Sequence, residues 1–86
     1  MATKVTPNYD NKAAYLATAT RLYKYTKPRS TFSIEIVEDP NDPWFVYSVK
    51  TLNKSKTMKS CVMFIRKDIP DWTRHYESAG WVSQSN

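Results

Sequence analysis

The sequence predicts an α+β fold, in which a small three-stranded antiparallel sheet packs against an N-terminal and a C-terminal helix. Three observations predict it: helix-favouring alanines come early, three short segments rich in β-branched and aromatic residues follow, and apolar residues at helical spacing end the chain. Because the chain has 86 residues, we expect a single domain. Residues 1–9 are polar and are predicted to form a flexible N-terminal arm, with the domain spanning residues 10–86.

The first predicted element is a helix over residues 11–25. Four alanines and a leucine, all helix-favouring, lie among residues 13–19. Residues 18–26 alternate well enough to form a strand instead, so both structures remain open for those residues. Pro28 ends the element in either case, because proline cannot continue a helix.

Three strands are predicted in the middle of the chain. Residues 31–38 alternate between apolar and polar side chains, and residues 44–52 are aromatic and β-branched. Residues 58–67 are apolar on both faces at their centre, which favours a place in the middle of the sheet or under a covered face. The segments 38–43 and 53–56 are rich in turn-forming residues and are predicted to connect the strands.

The C-terminal helix has the clearest local signals. Asp68 is suited to cap it, and Pro70 falls in the first turn, where its missing N–H is not needed. Apolar residues recur at the spacing of one helix face: Ile69, Trp72, Tyr76 and Ala79. Gly80, the single glycine, stands where a helix end favours a left-handed residue. The residues after it can fold back on the helix or add a short edge strand.

The charges are segregated along the chain. Thirteen lysines and arginines against eight acids give a net charge of +5. Residues 11–31 and 49–67 carry cations without an acid, whereas residues 35–42 carry acids without a base. Such separation creates a field that attracts anionic partners. The connection 24–29 and the turn 53–56 are predicted to be the most exposed basic segments.

The basic segments predict a non-enzymatic protein that binds RNA or a ribonucleoprotein. Aromatic rings alternate with cations from Tyr23 to Arg29, and rings stack on unpaired bases while cations contact phosphates. The predicted nucleic-acid contacts are Lys24, Tyr25, Lys27, Arg29, Lys54, Lys56 and Lys59, with Tyr25 available for stacking. No RNP sheet motif, G-x-x-G loop or zinc knuckle occurs. In the alternative interpretation, Tyr23 packs in the core and the lysines only keep the protein in solution.

The aromatic residues predict a second possible function, direct binding of a protein target. Tryptophans that lie at a surface are frequent anchors of protein interfaces. Trp44 and Trp81 are the predicted anchors, together with the acidic loop 38–43, and the target would be inhibited by occlusion. An edge strand or the Trp81 tail would equally serve a homodimer.

Catalysis, cofactors and metals are not expected. The acidic loop lacks the spacing of a calcium-binding loop, and one cysteine with one histidine leaves no usual zinc site. His75 is predicted to be exposed on the last helix, away from any nucleophile. Cys61 is predicted to be buried and inert.

A soluble cytoplasmic protein is expected. The longest apolar run, residues 61–65, is far too short to span a membrane. The first residues carry no apolar stretch of the kind that a signal peptide needs.

In size and character the chain resembles small accessory proteins of T-even phages, such as toxin inhibitors of the TifA kind. It is compact, basic and aromatic-rich, and ends with the run DWTRHYESAGWV at residues 71–82. The resemblance implies a counter-defence protein that binds and disables a host or defence factor in the host cytoplasm. Toxin ribonucleases held in RNA-containing complexes are among such targets. The resemblance implies no individual site residue.

Overall fold

The computed structural model of the chain describes residues 9–84. Its elements, in chain order, are α1 (Tyr9–Leu16), β1 (Arg21–Thr26), β2 (Phe32–Glu38), β3 (Phe45–Leu52), β4 (Met58–Ile65), a 3₁₀ turn (Arg66–Asp68), α2 (Ile69–Ser78) and β5 (Val82–Ser83). All five strands form one antiparallel sheet in the order β4-β3-β2-β1-β5. The predicted arm, residues 1–9, lies outside the described residues except for Tyr9, with which α1 begins.

The predicted three-stranded sheet between two helices is wrong, because the sheet has five strands. The segment predicted as one helix, residues 11–25, divides into α1 and β1. In β1 the ring of Tyr25 is buried opposite Ile34 of β2, while Lys24 pairs with Glu35 on the other face. Burial of alternate residues against β2 outweighs the local helix preference of the preceding alanines. Beyond α2 the chain returns to add β5 beside β1.

Each face of the sheet carries an apolar cluster. The face covered by α2, here called the α2 face, holds a core of seven buried residues: Tyr25, Ile34, Ile36, Val46, Phe64, Ile69 and Tyr76. The opposite face, called the α1 face, buries Leu16 of α1 against three strand residues: Val37, Tyr47 and Val49. The sheet is therefore the middle layer, and the two helices cover different parts of its two faces.

The position of β4 also differs from the prediction. Its apolar centre favours a central or covered strand, but β4 lies at the edge of the sheet. Three apolar side chains in it are exposed, Val62 by 45%, Met63 by 54% and Ile65 by 41%. Cys61, predicted to be buried, is half-buried on the α1 face.

The end of α2 and the place of Pro70 agree with the local sequence, but the side chain of Asp68, predicted to cap the helix, makes no capping hydrogen bond. The helix starts at Ile69, directly after Asp68, with Pro70 in the first turn. At its end Gly80 has φ +97° and donates from its amide to the carbonyl of Glu77 (3.1 Å), while Trp81 donates to the carbonyl of Tyr76 (3.0 Å). These two hydrogen bonds form a Schellman motif, which requires a left-handed residue at the glycine position.

Two hydrogen bonds attach α2 to the sheet. The hydroxyl of Tyr25 donates to Oε2 of Glu77 (3.2 Å), and the hydroxyls of Ser48 and Tyr76 bond to each other in the core. Burial and the hydrogen bond to Glu77 raise the pKa of Tyr25 to about 12. The polar groups under α2 are thus paired, and the helix is fixed across the strands β1 and β3.

Candidate nucleic-acid interface

Two basic loops lie side by side at one end of the sheet. The β1–β2 loop (residues 27–31) and the β3–β4 loop (residues 53–57) both follow strands that run in the same direction. Neither loop contains an acidic residue. We call these two loops the basic end. The sequence predicted two exposed basic segments here, and the sheet topology places them at the same end.

Asn53 holds the two loops together. Its amide donates to the carbonyl of Thr31 (2.8 Å), and its side-chain nitrogen contacts the carbonyl of Ser30 (3.4 Å). The hydroxyl of Ser33 donates to the side-chain oxygen of Asn53. These bonds join loops that are more than twenty residues apart in the chain, so the basic end is one connected surface.

Two cations at the basic end have a left-handed backbone. Arg29 has φ +66° and Lys56 has φ +59°, and both side chains are exposed. They are the only non-glycine residues with positive φ in the described part of the chain. A left-handed conformation disfavours residues with a Cβ, so arginine and lysine carry a conformational cost here that glycine would avoid.

A groove of about 200 Å³ runs from the basic end onto the α1 face. Its basic lining residues are Arg21, Lys24 and Lys56. Hydroxyl and amide groups complete the lining, from Ser33, Thr51 and Asn53. One acid, Glu35, lies in the groove and forms an ion pair with Arg21. The groove therefore offers two further lysines, Lys24 and Lys56, and the hydroxyl of Thr51 to an anionic ligand.

Three carboxylates of the described residues pair with cations outside the two basic loops. Glu35 pairs with Arg21, Glu38 with Arg66, and Asp71 with Arg74. Among residues 13–84, no ion pair involves the predicted phosphate contacts: Lys24, Lys27, Arg29, Lys54, Lys56 and Lys59. Their charge is available to an external anion.

The six predicted cations occupy four positions. Lys24 and Lys56 line the groove, and Arg29 and Lys54 are exposed on the loops. Lys59 is exposed at the start of β4, at a bulge in its pairing with β3. Lys27 instead lies towards α2, with Nζ 5.7 Å from the ring centroid of Trp81. The structure therefore brings together the charges that the sequence predicted, on two sides of one end.

Tyr25 cannot stack on a base as predicted. Its side chain is only 1% exposed and lies in the core of the α2 face. Strand alternation is the reason, because in β1 the residues Tyr23 and Tyr25 point to one face while Lys24 points to the other. The alternation of rings and cations in the sequence thus separates the two groups instead of mixing them.

Phe32 is the aromatic ring that lies next to the basic end. It is half-buried at the start of β2, opposite Leu52 of β3. Nζ of Lys50 lies 5.6 Å from its ring centroid. Phe32 is the first residue of β2, and its position at the strand end leaves its ring partly open.

The two predicted interface tryptophans lie at opposite ends of the sheet. Trp44 is 70% exposed in the β2–β3 loop, at the end away from the basic loops. Trp81 is half-buried against the α2-face core and partly covered by Lys27. They do not form one surface, and of the two only Trp44 presents a large exposed ring.

Asp39 organises the acidic loop. Its Oδ1 accepts from the hydroxyl of Tyr15 (2.7 Å) and from the amides of Asn41 (2.8 Å) and Asp42 (3.2 Å), and its Oδ2 accepts from the hydroxyl of Tyr47 (2.8 Å). The hydroxyl of Tyr15, followed by the amide of Asn41, holds the pKa of Asp39 below its usual value. Asp39 therefore has a structural role that the sequence analysis did not identify.

The remaining candidate groups are dispersed. His75 is exposed on α2, as predicted, and its ring contacts that of Tyr76. Between residues 9 and 84, no three histidine, cysteine or acidic side chains come together in an arrangement suited to a metal ion. Neither helix of that part of the chain has the length and apolar character needed to cross a membrane.

Comparison of the chain with known protein families, curated proteins and solved structures finds no match. The interpretation of the site therefore depends on its geometry and charge.

Proposed function

We propose that this protein is a non-enzymatic binding protein whose basic end contacts RNA, either free or within a ribonucleoprotein. The observation that carries the proposal is the joining of two acid-free basic loops by Asn53 into one surface. A surface with several lysines and arginines near one another attracts phosphates and orders them along itself.

The groove beside the two loops presents two lysines. Lys24 and Lys56 lie on it with no ion-pair partner among residues 13–84, so a phosphate bound there replaces only water around the two cations. The hydroxyl of Thr51 lines the same groove and provides a neutral hydrogen bond to a sugar or phosphate oxygen. Phe32 offers a partly open ring for stacking at the same end of the sheet, on the α2 face opposite the groove.

The biological role that we propose is inhibition. A small protein that covers RNA or an RNA-containing complex blocks access to it without catalysis. The target would be a host or defence factor, such as a toxin ribonuclease held in an RNA-containing complex, and the site of action the cytoplasm. The resemblance to phage accessory proteins supports this role by size and character only.

The test is a paired charge reversal. Lys54→Glu with Lys56→Glu reverses two exposed cations of the basic end, and Lys67→Glu with Arg74→Glu makes the same change in net charge far from it. Fluorescence anisotropy of a labelled single-stranded RNA is measured at about 50 and 200 mM salt, a range over which phosphate-dominated binding weakens greatly. We expect the first pair to abolish binding and the second to retain it. Equal loss in both pairs, or retained binding in the first, contradicts the proposed surface.

A second function is favoured by one observation, the exposed ring of Trp44 beside the acidic loop. An aromatic side chain 70% exposed, next to Asp42, suits a basic protein partner that is bound by occlusion. The apolar contact of the Trp44 ring depends little on salt, whereas the attraction of phosphates to cations depends on it steeply. Trp44→Ala should remove this binding and leave RNA binding unchanged.

A further inference from the structure

Within residues 9–84, β4 forms an edge of the sheet with no strand on its outer side, and it is unusually apolar. Four of the large apolar side chains that are exposed lie on β4 or beside its end: Trp44, Val62, Met63 and Ile65. From Ser60 to Ile65 the strand carries no charge, proline or glycine. Natural edge strands are usually protected by such residues or by a covering element. The edge therefore has the character of a surface that pairs with another strand.

The backbone groups that face outward on β4 can be assigned from the pairing with β3. The amide of Arg66 donates to the carbonyl of Trp44 (2.9 Å), and hydrogen-bonded pairs recur at every second residue of an antiparallel ladder. Val62 and Phe64 consequently direct their backbone groups to β3. Cys61, Met63 and Ile65 direct theirs to the outer side of the strand, away from β3.

The opposite edge does not offer a comparable surface. β5 is only two residues long, Val82–Ser83, and the side chain of Gln84 bonds to Thr26 Oγ1 (2.7 Å) beside it. β4 is eight residues long. Extension of the sheet is therefore favoured at β4 and restricted at β5.

Charge selects a second copy of the chain in antiparallel orientation as the partner. The basic turn with Lys54 and Lys56 precedes β4, whereas the segments 38–42 and 66–71 at its other end carry five acids and two bases. Antiparallel pairing places the basic turn of each copy beside the acidic end of the other. Parallel pairing would place like ends together, which electrostatic repulsion disfavours.

We propose that β4 pairs with β4 of a second copy about a twofold axis at Val62, which extends the sheet to ten strands. In this register Cys61 of one copy lies opposite Met63 of the other, and Ser60 lies opposite Phe64. The apolar side chains then pack across the junction on both faces of the sheet. The two basic ends then lie at opposite extremities of the ten-stranded sheet, and the turn 53–56 of each copy lies beside the acidic end of the other.

Neighbouring registers oppose like charges. A twofold axis at Met63 would place Lys59 opposite Lys67, and one at Cys61 would place Lys56 opposite Arg66. Like charges directly opposite each other destabilise a strand pair. The axis at Val62 avoids both pairs.

The first test is the mass of the protein in solution, measured by light scattering after size-exclusion chromatography over a wide range of concentration. We expect a dimer for the unmodified chain. Val62→Lys places two like charges on the twofold axis and should yield a monomer. Val82→Lys is the matched control, because it makes the same change at a similarly exposed valine on β5, and should remain a dimer. A monomeric unmodified chain, or a dimer that both variants retain or both lose, overturns the proposal.

The second test determines the register and does not depend on Val62→Lys folding. Three chains each carry one cysteine: the unmodified chain at position 61, Cys61→Ser with Val62→Cys, and Cys61→Ser with Met63→Cys. Two residues that face each other in a non-hydrogen-bonded pair have Cα atoms about 4.5 Å apart, which a disulfide can join. Under mild oxidation by diamide we expect the cysteine at 62 to cross-link most. Preferential cross-linking at 61 or 63, or at none of the three, overturns the proposed axis.

Discussion

Lys56 is a cation of the proposed site, and its backbone is held in a left-handed conformation. Its φ is +59°, its side chain is exposed, and its amide donates to the carbonyl of Leu52 (2.9 Å). Lys56→Gly removes the charge and the conformational cost together, whereas Lys56→Ala removes only the charge. The two variants therefore separate stability from binding.

The expected magnitudes follow from the backbone. A residue with a Cβ in the left-handed region costs roughly 1–2 kcal/mol. The greater freedom of glycine in the unfolded chain offsets about 0.5–1 kcal/mol of that gain. We expect Lys56→Gly to have a free energy of unfolding about 0.5–1 kcal/mol higher than Lys56→Ala. For a domain of this size, 1 kcal/mol shifts the melting temperature by roughly 4–8 °C.

Unlike stability, the salt dependence of RNA binding should change equally in Lys56→Gly and Lys56→Ala. If Lys56 contacts one phosphate, both variants should reduce the slope of log affinity against log salt by about 0.7 for a single-stranded RNA. Lys67→Ala, which removes an exposed cation at the other end of β4, should leave that slope unchanged. Thermal melts give the stabilities, and anisotropy titrations at several salt concentrations give the slopes. The reasoning is refuted if the glycine variant melts below the alanine variant, or if neither variant changes the slope.

Three further outcomes are expected. The folded-state pKa of Asp39 lies below the usual 3.8, so the ionised carboxylate stabilises the folded protein fully above pH 3.8. This stabilisation is lost as the pH falls through the lower, folded-state pKa. Asp39→Asn should therefore weaken the acid dependence of the melting temperature. The pKa of Tyr25 is raised from 10 to about 12, so the neutral hydroxyl stabilises the folded protein fully below pH 10. This stabilisation is lost as the pH rises through about 12. Tyr25→Phe should therefore reduce the loss of stability in urea titrations across that alkaline range. Gly80→Ala should lower the free energy of unfolding by roughly 1–2 kcal/mol in urea titrations, because φ is +97° and the new Cβ would lie 3.4 Å from Cε of Lys27; an unchanged value would contradict the left-handed helix end.

Part of the candidate site can be predicted from the sequence. The segregation of cations and acids is a property of the sequence, and so is the presence of turns at residues 38–43 and 53–56. The proximity of the two basic loops is not, because it depends on β1 and β3 running in the same direction with β2 between them. The role of Asp39 likewise depends on hydroxyls from Tyr15 and Tyr47, which lie on other elements.

Tyr25 illustrates why residue types alone mislead. In the sequence it stands between Lys24 and Lys27 and looks like part of a mixed aromatic and basic surface. As part of a strand it turns to the face opposite Lys24 and becomes one of the most buried residues. Because residues 21–26 form a strand and not a helix, Tyr25 is buried, and Phe32 is the ring that lies near the basic end.

The sequence by itself determined α2, with its proline in the first turn and its glycine at the end, because capping depends on residues within a few positions of one another. It also determined the uneven charge. Only the tertiary structure decided that β1 is a strand, that β5 joins the sheet, and that β4 lies at the edge. The physical reason is that a strand obtains its hydrogen bonds and its burial from partners distant in the chain, so that neighbouring residues do not specify its place in a sheet.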